Sequence, residues 1–127
     1  MRKRRLITLS MFVFLLVAAL SSFAGPAEAQ PDQLQYVVVY VELLPAVQEP
    51  GADLLDALAA FGRRRGANSF SVNQEIGRSN FYVLLETWKS ASDYQAFLKL
   101  DKTQALLKQI GHFLEAPFDE RDGTLIE

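Results

Sequence analysis

The chain has 127 residues, 22% of them charged, and a formal net charge of −2. Four of its 13 basic and one of its 15 acidic residues lie in residues 1–29, so the remaining 98 residues carry a net charge of −5. An acidic domain of this size is a poor ligand for nucleic acid or for an anionic membrane surface. Because the sequence contains no cysteine, disulfides and thiolate metal sites are excluded.

The N-terminal segment, residues 1–29, has the pattern of a secretory signal peptide. Basic residues 2–5 precede the apolar run at residues 6–23, and Ala27-Glu28-Ala29 is an A-x-A cleavage site. We expect cleavage after Ala29 and export to the periplasm or the extracellular space. The alternative is an uncleaved anchor, since the apolar run is nearly long enough to span a bilayer; this would be the only membrane contact.

The first half of the remaining chain predicts a strand and a helix. Residues 30–35 are polar and predict a flexible leader, and residues 36–43 are apolar on both faces, as in a covered strand. Residues 50–65 carry an apolar stripe at helical spacing and end before Gly66, a natural helix stop. The three arginines at positions 63–65 fit either an anion-binding patch or a solvated helix end.

The second half predicts a hairpin, two helical segments and a last strand. Residues 68–75 and 81–88 read as strands joined by turn residues. Residues 90–100 predict a helix, Asp101 predicts a new helix cap, and residues 118–127 predict a strand of weak alternation.

The resulting order, β-α-β-β-α-β, predicts an α+β fold of the ferredoxin-like type over residues 36–127. In this fold the helices cover one face of an antiparallel sheet. The other face here also carries large apolar side chains, and the chain has no further layer to cover it. We therefore expect a homodimer in which a second copy covers that face.

The central strand, residues 81–88, and the helix after it predict one wall of a pocket. Alternation places Glu86 and Trp88 on the same face of the strand. Ser90 is a good N-cap, with Asp93 three residues later as in a capping box. Tyr94 then lies on the first turns of the helix, close to the end of the strand.

These residues carry a resemblance to a known family. With residues 36–43, the strand end Leu85-Glu86-Thr87-Trp88 and the helical segment Tyr94-Gln95-Ala96-Phe97-Leu98, the sequence resembles the antibiotic biosynthesis monooxygenase domain over residues 36–126. The resemblance implies a dimeric α/β barrel with an apolar pocket between sheet and helices. It also implies oxygenation of quinol-like or polycyclic aromatic substrates by dioxygen, without a metal or flavin cofactor.

The sequence departs from this family in its histidines. Many members carry a histidine where Phe97 stands, and a Thr-Pro-His where Leu100-Asp101-Lys102 stands. The single histidine of the chain is His112.

Two residues are candidates for catalysis. Glu86 would be a general base if burial raised its pKa, or else would pair with a lysine or arginine on a neighbouring strand. His112 could take a proton from a phenol, because histidine titrates near neutral pH, or it could be a packed or surface residue.

Four residues are candidates for substrate binding. Trp88 could stack on a planar ligand or fill the core, and Tyr94 could donate a hydrogen bond to a ligand oxygen or close the seam between helix and sheet. Phe97 is expected beside them. Asn73 could orient a carbonyl, or serve only in turn chemistry.

The sequence thus predicts an exported, dimeric, cofactor-independent monooxygenase-like protein that acts on small aromatic or quinol compounds. A non-catalytic module that binds small aromatic ligands is the alternative. Haem degradation, with His112 as the axial ligand, and a purely structural dimerisation domain are further hypotheses.

Overall fold

Over residues 33–126, the part that the computed structural model describes, four strands and three α-helices follow one another. The predicted signal peptide and residues 30–32 of the predicted leader lie outside the described residues. In chain order the strands and helices are β1 Gln35–Glu42, α1 Gln48–Arg64, β2 Ala67–Glu75, β3 Arg78–Trp88, α2 Ala91–Leu98, α3 Asp101–Gly111 and β4 Asp119–Thr124. A short 3-10 turn, Pro45–Val47, lies between β1 and α1.

The strands form one antiparallel sheet in the order β2-β3-β1-β4. β3 and β1 are therefore central, and β2 and β4 are the edges. The helices pack on one face of the sheet. This arrangement confirms the prediction of an α+β, ferredoxin-like fold.

The core lies between the sheet and the helices. Alternate residues of the two central strands face the helices and are buried: Val37, Val39, Val41, Tyr82, Leu84. They meet residues of α1 that recur every three or four positions and so share one side of that helix: Leu55, Leu58, Ala59, Phe61. Helix α1 approaches the sheet closely at Gly62, where a Cβ atom would lie only 2.6 Å from the Phe70 ring. This close approach fixes Phe70 beneath the helix.

The other face of the sheet is open in the described chain. It carries large apolar side chains, of which Tyr36, Tyr40 and Leu85 are 39%, 45% and 45% exposed. Val38 and Val83 lie between them and are half-buried. We call this surface, residues 36, 38, 40, 83 and 85, the open face.

All four strands have boundaries that differ from the sequence predictions: β1 and β2 each begin one residue earlier, β3 begins three residues earlier, and β4 covers only residues 119–124 of the predicted 118–127. Gln35 was expected in the flexible leader but is a buried residue of β1, because its backbone pairs with β3 on one side and β4 on the other. β3 begins at Arg78 rather than residue 81, because the turn needs only Ile76 and Gly77. Gly77 has a φ of 85°, a conformation that glycine adopts without a steric penalty.

Of the two predicted helix caps, one is confirmed and one is wrong. The N–H of Asp93 donates to Ser90 Oγ at 3.2 Å, as the capping box predicts. Helix α3 starts at the predicted cap residue itself: Leu100 occupies the N-cap position and makes no capping hydrogen bond with its side chain, and Asp101 lies in the first turn. A carboxylate is favourable there because of the positive end of the helix dipole.

Candidate functional site

A cavity of about 90 Å³ lies between the sheet and the three helices. Its inner wall is apolar and buried: Val39, Leu58, Phe70, Leu84, Phe97. Leu98, Leu107 and Phe118 line it as well and are only half-buried, so they form its solvent side. Four polar side chains complete the lining: Glu86, Tyr94, Thr103, Glu120.

Glu86 places a carboxyl group in this apolar surrounding. It lies on the helix-facing side of β3, where every second residue from Tyr82 to Trp88 is buried, and is 5% exposed. Trp88 Nε1 donates a hydrogen bond to Glu86 Oε2 at 2.8 Å. No lysine or arginine within residues 33–126 forms an ion pair with it, so the predicted alternative of a cross-strand ion pair does not occur there.

Burial raises the pKa of Glu86 from 4.5 to about 7. The hydrogen bond from Trp88 lowers this pKa and so offsets part of the effect of burial, while the nearby charges of Glu120 and Asp122 raise it. A carboxyl group with a pKa of about 7 can accept and release a proton at physiological pH.

Trp88 supports this carboxyl group from behind the cavity. Its side chain is fully buried and does not line the cavity. The indole packs against Phe97 and Tyr94, with ring centroids 4.9 Å and 5.7 Å away. Two aromatic neighbours and one hydrogen bond hold the indole, which in turn orients Glu86.

Tyr94 and Glu120 form a second donor and acceptor pair at the cavity. Tyr94 Oη donates to Glu120 Oε1 at 2.6 Å. Burial raises the pKa of Tyr94 well above its ordinary value, and the hydrogen bond to Glu120 and the negative charge of that residue raise it further. Burial also raises the pKa of Glu120; its hydrogen bond from Tyr94 acts in the opposite direction, and Asp122 adds to the rise. Tyr94 therefore keeps its proton and remains a donor.

Thr103 is the fourth polar side chain. It lies in the first turn of α3, is completely buried, and its hydroxyl has no hydrogen-bond partner among the described residues. A buried hydroxyl without a partner costs roughly 1–3 kcal/mol. Thr103 therefore places a hydroxyl group with unused hydrogen-bonding capacity among the residues that line the cavity.

Of the six residues predicted for the site, the structure brings four together. Glu86, Tyr94 and Phe97 line the cavity and Trp88 packs behind them. Sequence reasoning missed Thr103, although it shares a helical face with the buried Leu106 and Ile110, and it missed Glu120 on β4.

The structure places Asn73 and His112 away from the cavity. Asn73 pairs with Val83 on the opposite side of the sheet, and its Nδ2 donates to Ser71 Oγ at 3.0 Å and to the Val83 carbonyl at 3.2 Å. His112 is an exposed residue at the C-cap of α3. It follows Thr103 by nine positions, about two and a half helical turns, and so points away from the cavity side of α3.

Within residues 33–126, no group of three or more histidine, cysteine, aspartate or glutamate side chains is placed to hold a metal ion. No helix of that same region is both long enough and apolar enough to cross a membrane.

A four-stranded antiparallel sheet with helices on one face, and a cavity between the two layers, defines a ferredoxin-like domain with an internal pocket. No family model matches the sequence. The curated proteins contain no match either.

Solved structures do match this fold. A protein from Caulobacter crescentus, provisionally named an antibiotic biosynthesis monooxygenase, is 16% identical with a TM-score of 0.71, over 76% of this chain and 92% of its own. One from Nitrosomonas europaea with the same provisional name is 14% identical with a TM-score of 0.70, over 76% and 94%. A conserved protein of unknown function from Bacteroides thetaiotaomicron, named a possible oxidoreductase, is 16% identical with a TM-score of 0.69, over 74% and 99%. The resemblance to the antibiotic biosynthesis monooxygenase domain is thus confirmed at the level of the fold.

Proposed function

We propose that this protein is an exported, cofactor-independent monooxygenase of the antibiotic biosynthesis type, acting on small aromatic compounds of the quinol class. The observation that carries the proposal is Glu86, a buried carboxyl group whose pKa burial raises to about 7, in a cavity lined mainly by apolar side chains. Solved structures of the same fold that are named monooxygenases or a possible oxidoreductase support the reaction class.

The chemistry that we propose needs one base and a dry site. The Glu86 carboxylate takes the proton of a substrate hydroxyl, and the resulting phenolate is electron-rich enough to pass an electron to dioxygen. For hydroquinone, one oxygen atom enters the ring to give hydroxyquinone and the other leaves as water, so the four electrons that dioxygen accepts all come from the substrate. The apolar wall excludes water from the anion, and the hydrogen bond from Trp88 holds the Glu86 carboxyl group in place.

The size of the cavity sets a condition on this proposal. An apolar cavity of about 150 Å³ holds one benzene molecule, and this cavity measures about 90 Å³. A single aromatic ring therefore enters only if part of the wall moves. Leu98, Leu107 and Phe118 are the half-buried part of that wall, so we expect the ring to enter between them.

We also propose that the protein is a homodimer joined through the open face. Tyr36, Tyr40 and Leu85 are exposed together on one face, so they form a continuous apolar surface rather than scattered exposed residues. Two copies of this surface can pack against each other about a two-fold axis. The interface would bury aromatic and branched side chains, which are enriched at such interfaces.

A second candidate function is a module that binds small aromatic compounds without turnover. The observation that favours it is the position of Phe97, which packs on Trp88 at 4.9 Å where many members of the resembled family carry a histidine. In this version, the cavity keeps its binding wall and Glu86 serves only as a hydrogen-bond acceptor.

Oxygen consumption tests the first function against the second. Chelator-treated protein is given hydroquinone, and spontaneous oxidation without protein is subtracted. We expect protein-dependent uptake of dioxygen, incorporation of one ¹⁸O atom from ¹⁸O₂ into hydroxyquinone, and loss of both in Glu86→Gln. His112→Ala is the matched control, because His112 is outside the cavity. Binding of hydroquinone with no uptake over a panel of quinols would establish the second function in place of the first.

A further inference from the structure

Thr103 is the one polar side chain of the cavity that makes no side-chain hydrogen bond within the described residues. The Glu86 carboxylate is held by Trp88, and Tyr94 is held by Glu120. Thr103 is one of the residues that line the same cavity, its side chain is completely buried, and its hydroxyl lacks any partner in residues 33–126. Buried polar groups in proteins are satisfied by protein, by ordered water or by a ligand.

We propose that Thr103 determines the specificity of the cavity: its hydroxyl binds the second oxygen of an aromatic diol whose first hydroxyl is held by Glu86. This inference rests on the proposed function and names the residue that selects its substrate. Thr103 is on α3 and Glu86 is on β3, so the two polar groups belong to the two layers that enclose the cavity.

The rest of the lining restricts the ligand to this class. Eight of the twelve lining residues are apolar, so a sugar or polyol would place hydroxyl groups against carbon and leave them without partners. The ionisable lining groups of the described chain are Glu86, Glu120 and Tyr94, with no lysine or arginine among them. An anionic ligand would therefore meet two carboxyl groups and no positively charged side chain, whereas a neutral diol brings hydroxyl donors to those carboxyl groups. A flat ring with one hydroxyl group toward each layer meets both conditions: its carbon atoms contact the apolar lining, and its uncharged hydroxyl groups pair with the polar side chains.

Thr103 also suits a hydroxyl group because it can donate or accept. A threonine hydroxyl has one donor and two acceptor sites, so it pairs with a phenolic O–H in either sense. A carboxylate in this position would add a third negative group to the lining. Valine, which has the same shape, would leave the second oxygen unpaired.

A cycle of two variants and two ligands tests the inference. Hydroquinone and 4-methylphenol have the same size and differ only in a hydroxyl against a methyl group at one end. Their dissociation constants are measured by calorimetry without oxygen, on wild-type protein, on Thr103→Val and on Thr103→Ser. We expect wild type to prefer hydroquinone, Thr103→Val to reduce this preference by about 3- to 10-fold, and Thr103→Ser to retain it. The loss should fall on hydroquinone, with the affinity for 4-methylphenol unchanged or increased.

Two different failures are distinguishable. If Thr103→Val weakens both ligands equally or leaves the preference for hydroquinone intact, the role of Thr103 is wrong, and an ordered water on its hydroxyl is the better account; the proposed function would be unaffected. If wild-type protein binds neither ligand, the proposed function fails and this inference fails with it. Near-ultraviolet circular dichroism of the single tryptophan, Trp88, checks that both variants keep the native packing around the cavity.

Discussion

Replacement of Glu86 by glutamine should make the protein more stable at alkaline pH. Burial raises the pKa of Glu86 from 4.5 to about 7, so the folded protein holds this proton more tightly than the unfolded chain does. The resulting stabilisation is complete below pH 4.5 and is lost as the pH rises to about 7. With about 1.4 kcal/mol for each pKa unit, the charged form is disfavoured by roughly 3 kcal/mol. Most of this, about 2–3 kcal/mol, develops between pH 5 and pH 8.

Urea unfolding at pH 5 and pH 8 measures this effect. Glutamine keeps an oxygen that can accept the Trp88 N–H, and it does not ionise, so the hydrogen bond survives while the pH dependence is removed. The free energy of unfolding of Glu86→Gln minus that of wild type should increase by about 2–3 kcal/mol from the lower to the higher pH. Glu115→Gln, at an exposed carboxylate, controls for the loss of one negative charge. A difference that is the same at both pH values would refute the argument that this carboxyl is held protonated by burial.

Four further predictions follow from the same geometry. Trp88→Phe removes the N–H that lowers the pKa of Glu86, so the pH at which hydroquinone oxidation is half-maximal should move upward in a pH–rate profile. His112→Ala should leave the affinity for hydroquinone unchanged in calorimetry, because this residue is exposed and outside the cavity. Thr103→Val should raise the free energy of unfolding by about 1 kcal/mol in urea titrations, since it replaces an unpartnered buried hydroxyl with a methyl group of the same shape. Leu85→Lys, on the open face, should convert the proposed homodimer into a monomer in sedimentation experiments.

The parts of the fold that carry their own pattern could be predicted from the sequence. β3 alternates, and this alternation placed Glu86 and Trp88 together on the helix-facing side. Ser90 and Asp93 marked the start of α2 because the capping interaction is local. Such patterns do not show how far each side chain lies from the cavity. They could not predict that Trp88 is packed behind the cavity while Glu86, two residues earlier, lines it.

β4 shows why other parts were harder to predict. Its sequence, DERDGT, contains no apolar residue, and the strand exists because its backbone pairs with β1. A strand that forms only by pairing with its neighbour has no hydrophobic pattern of its own. The register that brings Glu120 to the cavity therefore could not be predicted from the sequence. Asn73 and His112 were proposed for their chemistry rather than their position, and the sheet face and the helix side on which they lie both point elsewhere.

The two carboxyl groups of the cavity differ in how firmly the sheet holds them, and this difference fits them for different tasks. Glu86 is on β3, which pairs with β1 on one side and β2 on the other, so its backbone cannot move without breaking two ladders. Glu120 is on β4, an edge strand held by β1 alone, and it lies on the exposed side of the cavity. A base must be held at a fixed distance from the proton that it accepts. A wall that admits an aromatic ring must instead be able to move. The fixed Glu86 suits the first task, and the Tyr94–Glu120 pair, next to the half-buried wall through which we expect the ring to enter, suits the second.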